Sequence, residues 1–194
     1  DDGQSIEPDY YYPILPMLAI NGSQGIGTGY STSIPMYNPM DISKYVKSKI
    51  NGEEPQDIKP WYRGFNGTIE STSKGSYITR GKYKVIDSGT IVITELPIGK
   101  WTEDYTDYLD KISVERGKET AKTFVRSYTD NSTEDKIHIE IKINPIILSK
   151  WVNKVGKDGV PEIENKLKLT SSLSTSNITA FDENNKITQF DSMT

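Results

Sequence analysis

Four glycines fall within eight residues in Asn21-Gly22-Ser23-Gln24-Gly25-Ile26-Gly27-Thr28-Gly29-Tyr30-Ser31, around one large apolar side chain, Ile26. Glycine admits positive φ and lets another molecule come close to the backbone. Three chemistries fit such a stretch. The first is a structural turn whose isoleucine returns to the core, the usual place for that residue. The second is a phosphate cradle. It lacks the Gly-Lys-Ser/Thr of a P-loop and the full spacing of a dinucleotide fingerprint, and Pro35 opposes a helix starting directly after it. The third is an apolar wedge driven between stacked base pairs, with backbone N–H groups facing phosphates. The pattern alone leaves all three open.

Other chemistry-bearing residues are few. Tyr10, Tyr11 and Tyr12 offer phenols that could act as nucleophiles, but beside Pro8, Pro13 and Pro16 they read as packing residues of an extended strap. The single histidine, His138, lies on the polar face of an alternating segment and reads as solvated. There is no cysteine, so disulfides and thiolate metal sites are excluded. A hydroxyl-rich run, Thr170 to Asn177, follows Lys166 and Lys168. It reads either as donors to phosphate oxygens or as a polar loop or edge strand.

The 194 residues carry a net charge of −4, with 34% hydrophobic and 26% charged residues. That composition suits a soluble globular chain, argues against nucleic-acid binding through bulk charge, and leaves no apolar run long enough for a membrane span. Charge is unevenly spread. Between Ile42 and Val85, Lys44, Lys47, Lys49, Lys59, Arg63, Lys74, Arg80, Lys82 and Lys84 face only Glu53, Glu54, Asp57 and Glu70. The segment is either a phosphate-facing strip or an ordinary solvated face. Asp1 is no natural start, and nothing resembles a signal peptide.

The elements that must position these groups follow from periodicity. Pro16 to Ile20 reads as a short buried strand or packed segment. Asn38-Pro39 caps a helix carrying Ile42, Tyr45, Val46 and Ile50, stopped at Gly52. Strands at 67–71, 76–79, 82–87 and 90–95, with turns at Gly75, Gly81 and Ser88-Gly89, predict an antiparallel meander. Thr102 opens a helix using Tyr105, Tyr108, Leu109 and Ile112. Further strands are expected at 123–128 and 136–143, and Asn144-Pro145 caps a helix with Ile147, Leu148, Trp151 and Val155 on its apolar side. A helical turn at 162–166 and a hairpin of 178–181 with 186–190 close the chain. The fold class is α+β, mostly antiparallel sheet flanked by helices.

Glu7-Pro8-Asp9-Tyr10-Tyr11-Tyr12-Pro13-Ile14-Leu15-Pro16-Met17, Asn21-Gly22 and Gly25-Ile26-Gly27-Thr28-Gly29-Tyr30-Ser31 closely resemble eukaryotic-type (type IIA) DNA topoisomerase II. The likeness continues through Lys59-Pro60-Trp61-Tyr62-Arg63-Gly64-Phe65, Gly67-Thr68-Ile69-Glu70, Ile93-Thr94-Glu95-Leu96-Pro97 with Trp101-Thr102, and Ala180-Phe181-Asp182. Only Asp104 to Glu164 diverges noticeably. The family usually has Glu where Gln24 stands and Trp where Tyr30 stands.

The resemblance implies a fragment of the DNA cleavage core. Residues 1–40 would be the strap and wedge loop at the end of the winged-helix region, and 41–194 a truncated α+β tower domain. It implies that Ile26 intercalates and bends double-stranded DNA, that Gly27, Thr28 and Gly29 neighbour phosphates, and that Lys168, Thr170, Ser171, Ser172, Ser176 and Asn177 contact DNA. The family's cleavage tyrosine lies before this chain begins, so the fragment alone is expected to be inactive and monomeric. No cofactor is expected on this chain, with Mg²⁺ and ATP serving the complete homodimeric enzyme. The location would be nuclear, or a cytoplasmic viral factory for a large DNA virus. The rival reading is a stand-alone α+β protein-interaction module with a structural glycine-rich turn.

Overall fold

The computed structural model describes residues 3, 8, 11–114, 119–120, 122–156 and 159–191. In chain order the elements are α1 (Met17–Asn21), β1 (Ser23–Gly27), β2 (Tyr30–Ile34), α2 (Pro39–Ile50), β3 (Thr68–Ser73), β4 (Ser76–Arg80), β5 (Lys82–Val85), β6 (Thr90–Glu95), α3 (Thr102–Ile112), β7 (Val125–Asp130), β8 (Ile139–Ile143), α4 (Pro145–Val152), α5 (Glu162–Lys166), β9 (Thr170–Ser174), β10 (Ile178–Phe181) and β11 (Ile187–Phe190). This is the α+β, mainly antiparallel composition that the sequence predicts. Two compact units form: Asp1–Tyr62 with Ser174–Thr194, and Arg63–Leu173. The first unit holds the glycine-rich stretch, α2 and the last hairpin.

The Arg63–Leu173 unit is built on a four-stranded sheet of order β5-β6-β8-β7, antiparallel throughout. Register places Ile91 opposite Ile141 and Ile93 opposite Ile139, and all four are fully buried. Tyr105, Leu109 and Ile112 recur at helical spacing on α3 and are buried in the same core as Leu148 and Trp151 of α4. Phe124 meets Trp151 edge to face at 4.7 Å. The buried Tyr105 hydroxyl is satisfied by donating to the Leu167 carbonyl at 2.7 Å.

Local chemistry starts α2 and α4 as expected, whereas α3 begins after Trp101 with no side-chain cap. The Asn38 side chain accepts from the Met40 N–H at 2.9 Å, and Asn144 accepts from the Ile146 N–H at 3.0 Å. Asn144 is itself held by donating to Glu119 Oε2 at 2.7 Å.

Several expectations need correction. The meander does not form. β3 and β4 pair with β9 in a three-stranded sheet, whereas β5 and β6 join β8 and β7. Gly81 alone separates the two hairpins, and a Cβ there would lie 2.4 Å from the Glu95 carbonyl oxygen. Its N–H donates to Leu169 O at 2.9 Å. Met17–Asn21 is a short helix rather than a strand. The Pro16 carbonyl accepts from Ala19 and Ile20, and Gly22 at φ 65° ends it. Helix α4 stops at Val152, leaving Val155 exposed, and Ile50 of α2 is exposed as well. Tyr11 and Tyr12, expected to pack, are also exposed. Tyr10 lies outside the described residues.

Candidate nucleic-acid interface

The glycine-rich stretch is a β-hairpin. β1 and β2 pair with Ile26 opposite Ser31 and Gly27 opposite Tyr30. Thr28 and Gly29 make the turn, with negative φ at Thr28 and +83° at Gly29, the φ signs of a type II turn. Glycine is therefore required at 29. In the closing pair the Gly27 N–H is used by Tyr30, so the tip presents the N–H groups of Thr28 and Gly29 outside the ladder.

Alternation gives the hairpin two faces. Gln24, Ile26, Ser31 and Ser33 share one. Ile26 is 93% exposed there, so its side chain does not return to the core. The other carries Ser23, Gly25, Gly27, Tyr30, Thr32 and the buried Ile34.

The outer edge of β2 takes a second element. The Ser33 N–H donates to Asn177 O at 2.8 Å, and Asn177 Nδ2 donates to Ser31 Oγ at 2.9 Å. Asn177 is thereby fixed beside the cross-strand partner of Ile26. Ser176 is exposed next to it, its N–H donating to Ser174 Oγ. The Thr179 N–H donates to Thr32 Oγ1 at 3.1 Å, which seats β10 against β2. β10 and β11 form a hairpin closed by Asp182, whose carboxylate accepts from the Asn184 and Lys186 N–H groups. The Lys186 N–H chiefly holds that carboxyl below its ordinary range. Ser31, Thr32 and Thr179 thus lie with Ile26 and Asn177; of the residues singled out by sequence, Gly27, Thr28, Gly29 and Ser176 share this unit and Lys168, Thr170, Ser171 and Ser172 do not. A cross-strand hydrogen bond to a residue about 146 positions away leaves no local signal.

Lys168, Thr170, Ser171 and Ser172 lie in the other unit and do not act as one run. Lys168 sits at φ 50° and is exposed, with Nζ 4.1 Å from the Tyr108 ring centroid. On β9, alternation puts Thr170 and the exposed Ser172 on one face and Ser171 on the other. The Ser171 carbonyl accepts from Thr79 Oγ1 at 3.3 Å.

The basic segment is likewise divided. Lys44, Lys47 and Lys49 are exposed on α2, and Lys44 lies 3.8 Å from Asp41. Arg80, in the other unit, is largely withdrawn between Glu70 at 3.2 Å and Glu164 at 3.6 Å. His138 is exposed.

Among the described residues, no group of three or more His, Asp or Glu side chains could hold a metal ion. No helix among them is long and apolar enough to cross a membrane.

A match to the family described as the A-subunit of DNA gyrase/topoisomerase IV spans residues 1–194. DNA topoisomerase 2 of Pisum sativum is 43% identical over 188 residues, covering 96% of this chain and 12% of that protein. DNA topoisomerase 2 of Plasmodium falciparum is 41% identical over 190 residues, covering 98% of this chain and 13% of its own length. The chain therefore corresponds to about one eighth of these relatives. A crystal structure of the Plasmodium falciparum topoisomerase II DNA-binding, cleavage and re-ligation domain superposes with a TM-score of 0.84 at 40% identity, covering all of this chain and 25% of that one. The motifs that mark the glycine-rich hairpin, and the fold that carries it, thus agree with a match along the whole length: the chain belongs to the DNA gyrase/topoisomerase IV A-subunit family, and is similar to a segment of eukaryotic DNA topoisomerase 2.

Proposed function

We propose that this chain is the part of a type IIA DNA topoisomerase that holds and bends the duplex to be cut. The observation that carries the reading is Ile26, a bare isoleucine at 93% exposure on a two-stranded hairpin, with Asn177 hydrogen-bonded beside it. An exposed β-branched side chain on a short hairpin suits insertion between base pairs, where unstacking costs a few kcal/mol and a bent duplex offsets it with added contacts. The N–H groups of Thr28 and Gly29 at the tip, with those around Gly27, suit phosphate oxygens. Ser176 and Asn177 extend that polar edge, and Lys168, Thr170, Ser171 and Ser172 of the other unit are further DNA contacts in this reading. Such contacts position the duplex without reading its sequence.

In this reading residues 1–40 belong to the end of a winged-helix region and 41–194 to a tower domain. DNA cleavage, Mg²⁺ chemistry and ATP-driven strand passage belong to the remainder of a longer, homodimeric protein, located in the nucleus.

The test is Ile26→Ala. Fluorescence energy transfer between the ends of a short duplex should report a bend with the unsubstituted chain and a much smaller one with the variant. Equal bending by both would remove the wedge assignment.

A further inference from the structure

Gly25 and Gly27 pose a question that the fold itself does not answer. Neither has a positive φ. A Cβ on Gly25 would meet nothing within 4 Å, and one on Gly27 would make only an ordinary contact, 3.8 Å from Tyr30 O. Gly22 and Gly29 differ. A Cβ on the first would lie 2.7 Å from Ile34 O, and the second sits at φ +83°. Glycine inside a strand weakens it, and where the chain's own packing does not demand it, it marks a place where another molecule comes close.

Both glycines lie on the face of the hairpin opposite Ile26, and that face is the floor of a groove of about 560 Å³. Tyr30 and Phe181, 57% and 67% exposed, stand along it with Ile187, and Thr32 and Thr179 lie deeper. Among the described residues neither a cationic side chain nor a carboxylate lines the groove, so charge neither draws a polyanion into it nor repels one. It is continuous with the wedge, since Ile26 also borders it. Aromatic and apolar walls over a bare backbone floor match the sugar–base edge of a nucleotide, which presents flat apolar surface without charge.

We propose that this second face is an apolar DNA contact, taking the sugar–base edge of the duplex beside the step that Ile26 opens, with Gly25 and Gly27 kept bare so the strand can seat. The inference rests on the wedge reading and adds Gly25, Tyr30 and Phe181 to it. The hairpin would then be gripped from both sides: one face inserts, the other receives.

The experiment measures binding of the whole 194-residue chain to a fluorescein-labelled duplex by anisotropy across a salt series. The proteins compared are Gly25→Ala, Phe181→Ala, Ile26→Ala and the unsubstituted chain, with thermal melts in parallel. Gly25→Ala and Phe181→Ala should each weaken binding roughly tenfold, with the slope of log K against log salt unchanged, because no phosphate contact is lost. Gly25→Ala should not lower the melting temperature, since the methyl has open space and the unfolded chain loses freedom. Unchanged affinity in both variants while Ile26→Ala binds weakly would overturn this inference alone and assign the groove to a polypeptide segment. A shallower salt slope would make the contact a phosphate one and overturn it too, as would a lowered melting temperature for Gly25→Ala. Failure of the unsubstituted chain to bind, or full binding by Ile26→Ala, would take down the wedge reading itself.

Discussion

The two units spend their apolar residues in opposite ways. In Arg63–Leu173, Ile91, Ile93, Leu109, Ile139, Ile141 and Leu167 are among many side chains sealed in one core between the four-stranded sheet and its helices. In the other unit the buried cluster is Ala19, Tyr37 and Ile42, with Leu15, Ile20, Val46 and Ile58 packed at its edge. That unit leaves Tyr11, Tyr12, Ile14, Ile26, Tyr30 and Phe181 exposed. Burial of apolar surface is the dominant favourable term in folding, at about 25 cal/mol per Å². Although Trp101, Ile146 and Val155 are exposed on it too, the first unit commits most of that free energy to its own core, whereas the second, with its small cluster, leaves more of it for whatever it contacts. Of the second unit's exposed residues, Ile26, Tyr30 and Phe181 border one groove, and contiguous exposed apolar surface of that kind marks an interaction site.

The contrast can be broken by mutation. Leu109→Ala has the largest expected effect, about 3 kcal/mol, because it opens a cavity in a fully closed core. Hydrogen exchange should then accelerate at β6 and β8 while amides of β1 and β2 keep their rates. Equal acceleration everywhere would mean that the units are not energetically distinct.

A smaller effect, about 1 kcal/mol, is expected for Asn144→Ala, which removes the cap of α4 and leaves Glu119 without one of its donors. Asn38→Ala deletes the same chemistry from the thinner unit. There it should show as selective fraying of α2, and an equal shift in the urea midpoint of both units would blur the distinction.

Glu164 sharpens the comparison from the side of charge. Burial raises its carboxyl above the ordinary range, Arg80 opposes the rise and Glu70 adds to it. The folded chain therefore binds more protons than the unfolded chain between the ordinary carboxylate value and the raised one, and stability falls as pH rises through that interval. Glu164→Gln should flatten this dependence in denaturant midpoints taken at a series of pH values. An unaltered slope would assign it to another group. Ile26→Ala should be the smallest perturbation of all to stability, within about 0.5 kcal/mol, because the side chain has little packing to lose. A large loss would place Ile26 in the fold rather than at an interface.

What could be read in the sequence divides along the same line. Asn38-Pro39 and Asn144-Pro145 announce helix starts because capping is settled within three residues, and both caps form. The alternation through Ile139, Ile141 and Ile143 is legible because the core buries every second residue of β8, and the strand at 90–95 is legible as a short apolar run, Ile91, Val92 and Ile93 all being buried. The hairpin at residues 23–34 was not, since glycine and serine carry no alternation signal. Met17–Asn21 was missed because a five-residue apolar run does not distinguish a buried strand from a helical turn. The split of the meander depends on β9 and β8 arriving from far along the chain to choose different hairpins, which no local pattern encodes. Of the site, glycine spacing draws attention to Ile26 but leaves its role open, and only the family resemblance implies a wedge. The partnership of Asn177 with Ser31, and the aromatic wall at Phe181, are products of tertiary structure.

Gly81 has a mechanical consequence. It is the single residue by which β4 of the three-stranded sheet runs into β5 of the four-stranded one, and its N–H is tied to Leu169, just before β9 begins. One residue spans at most about 3.6 Å, so this joint has no slack. Tension applied along β9 or β4 passes directly into the strands of the closed core instead of being absorbed by a loop. A strand anchored in this way is coupled stiffly to the block behind it, so that the three-stranded sheet and the closed core move together rather than flexing at their joint.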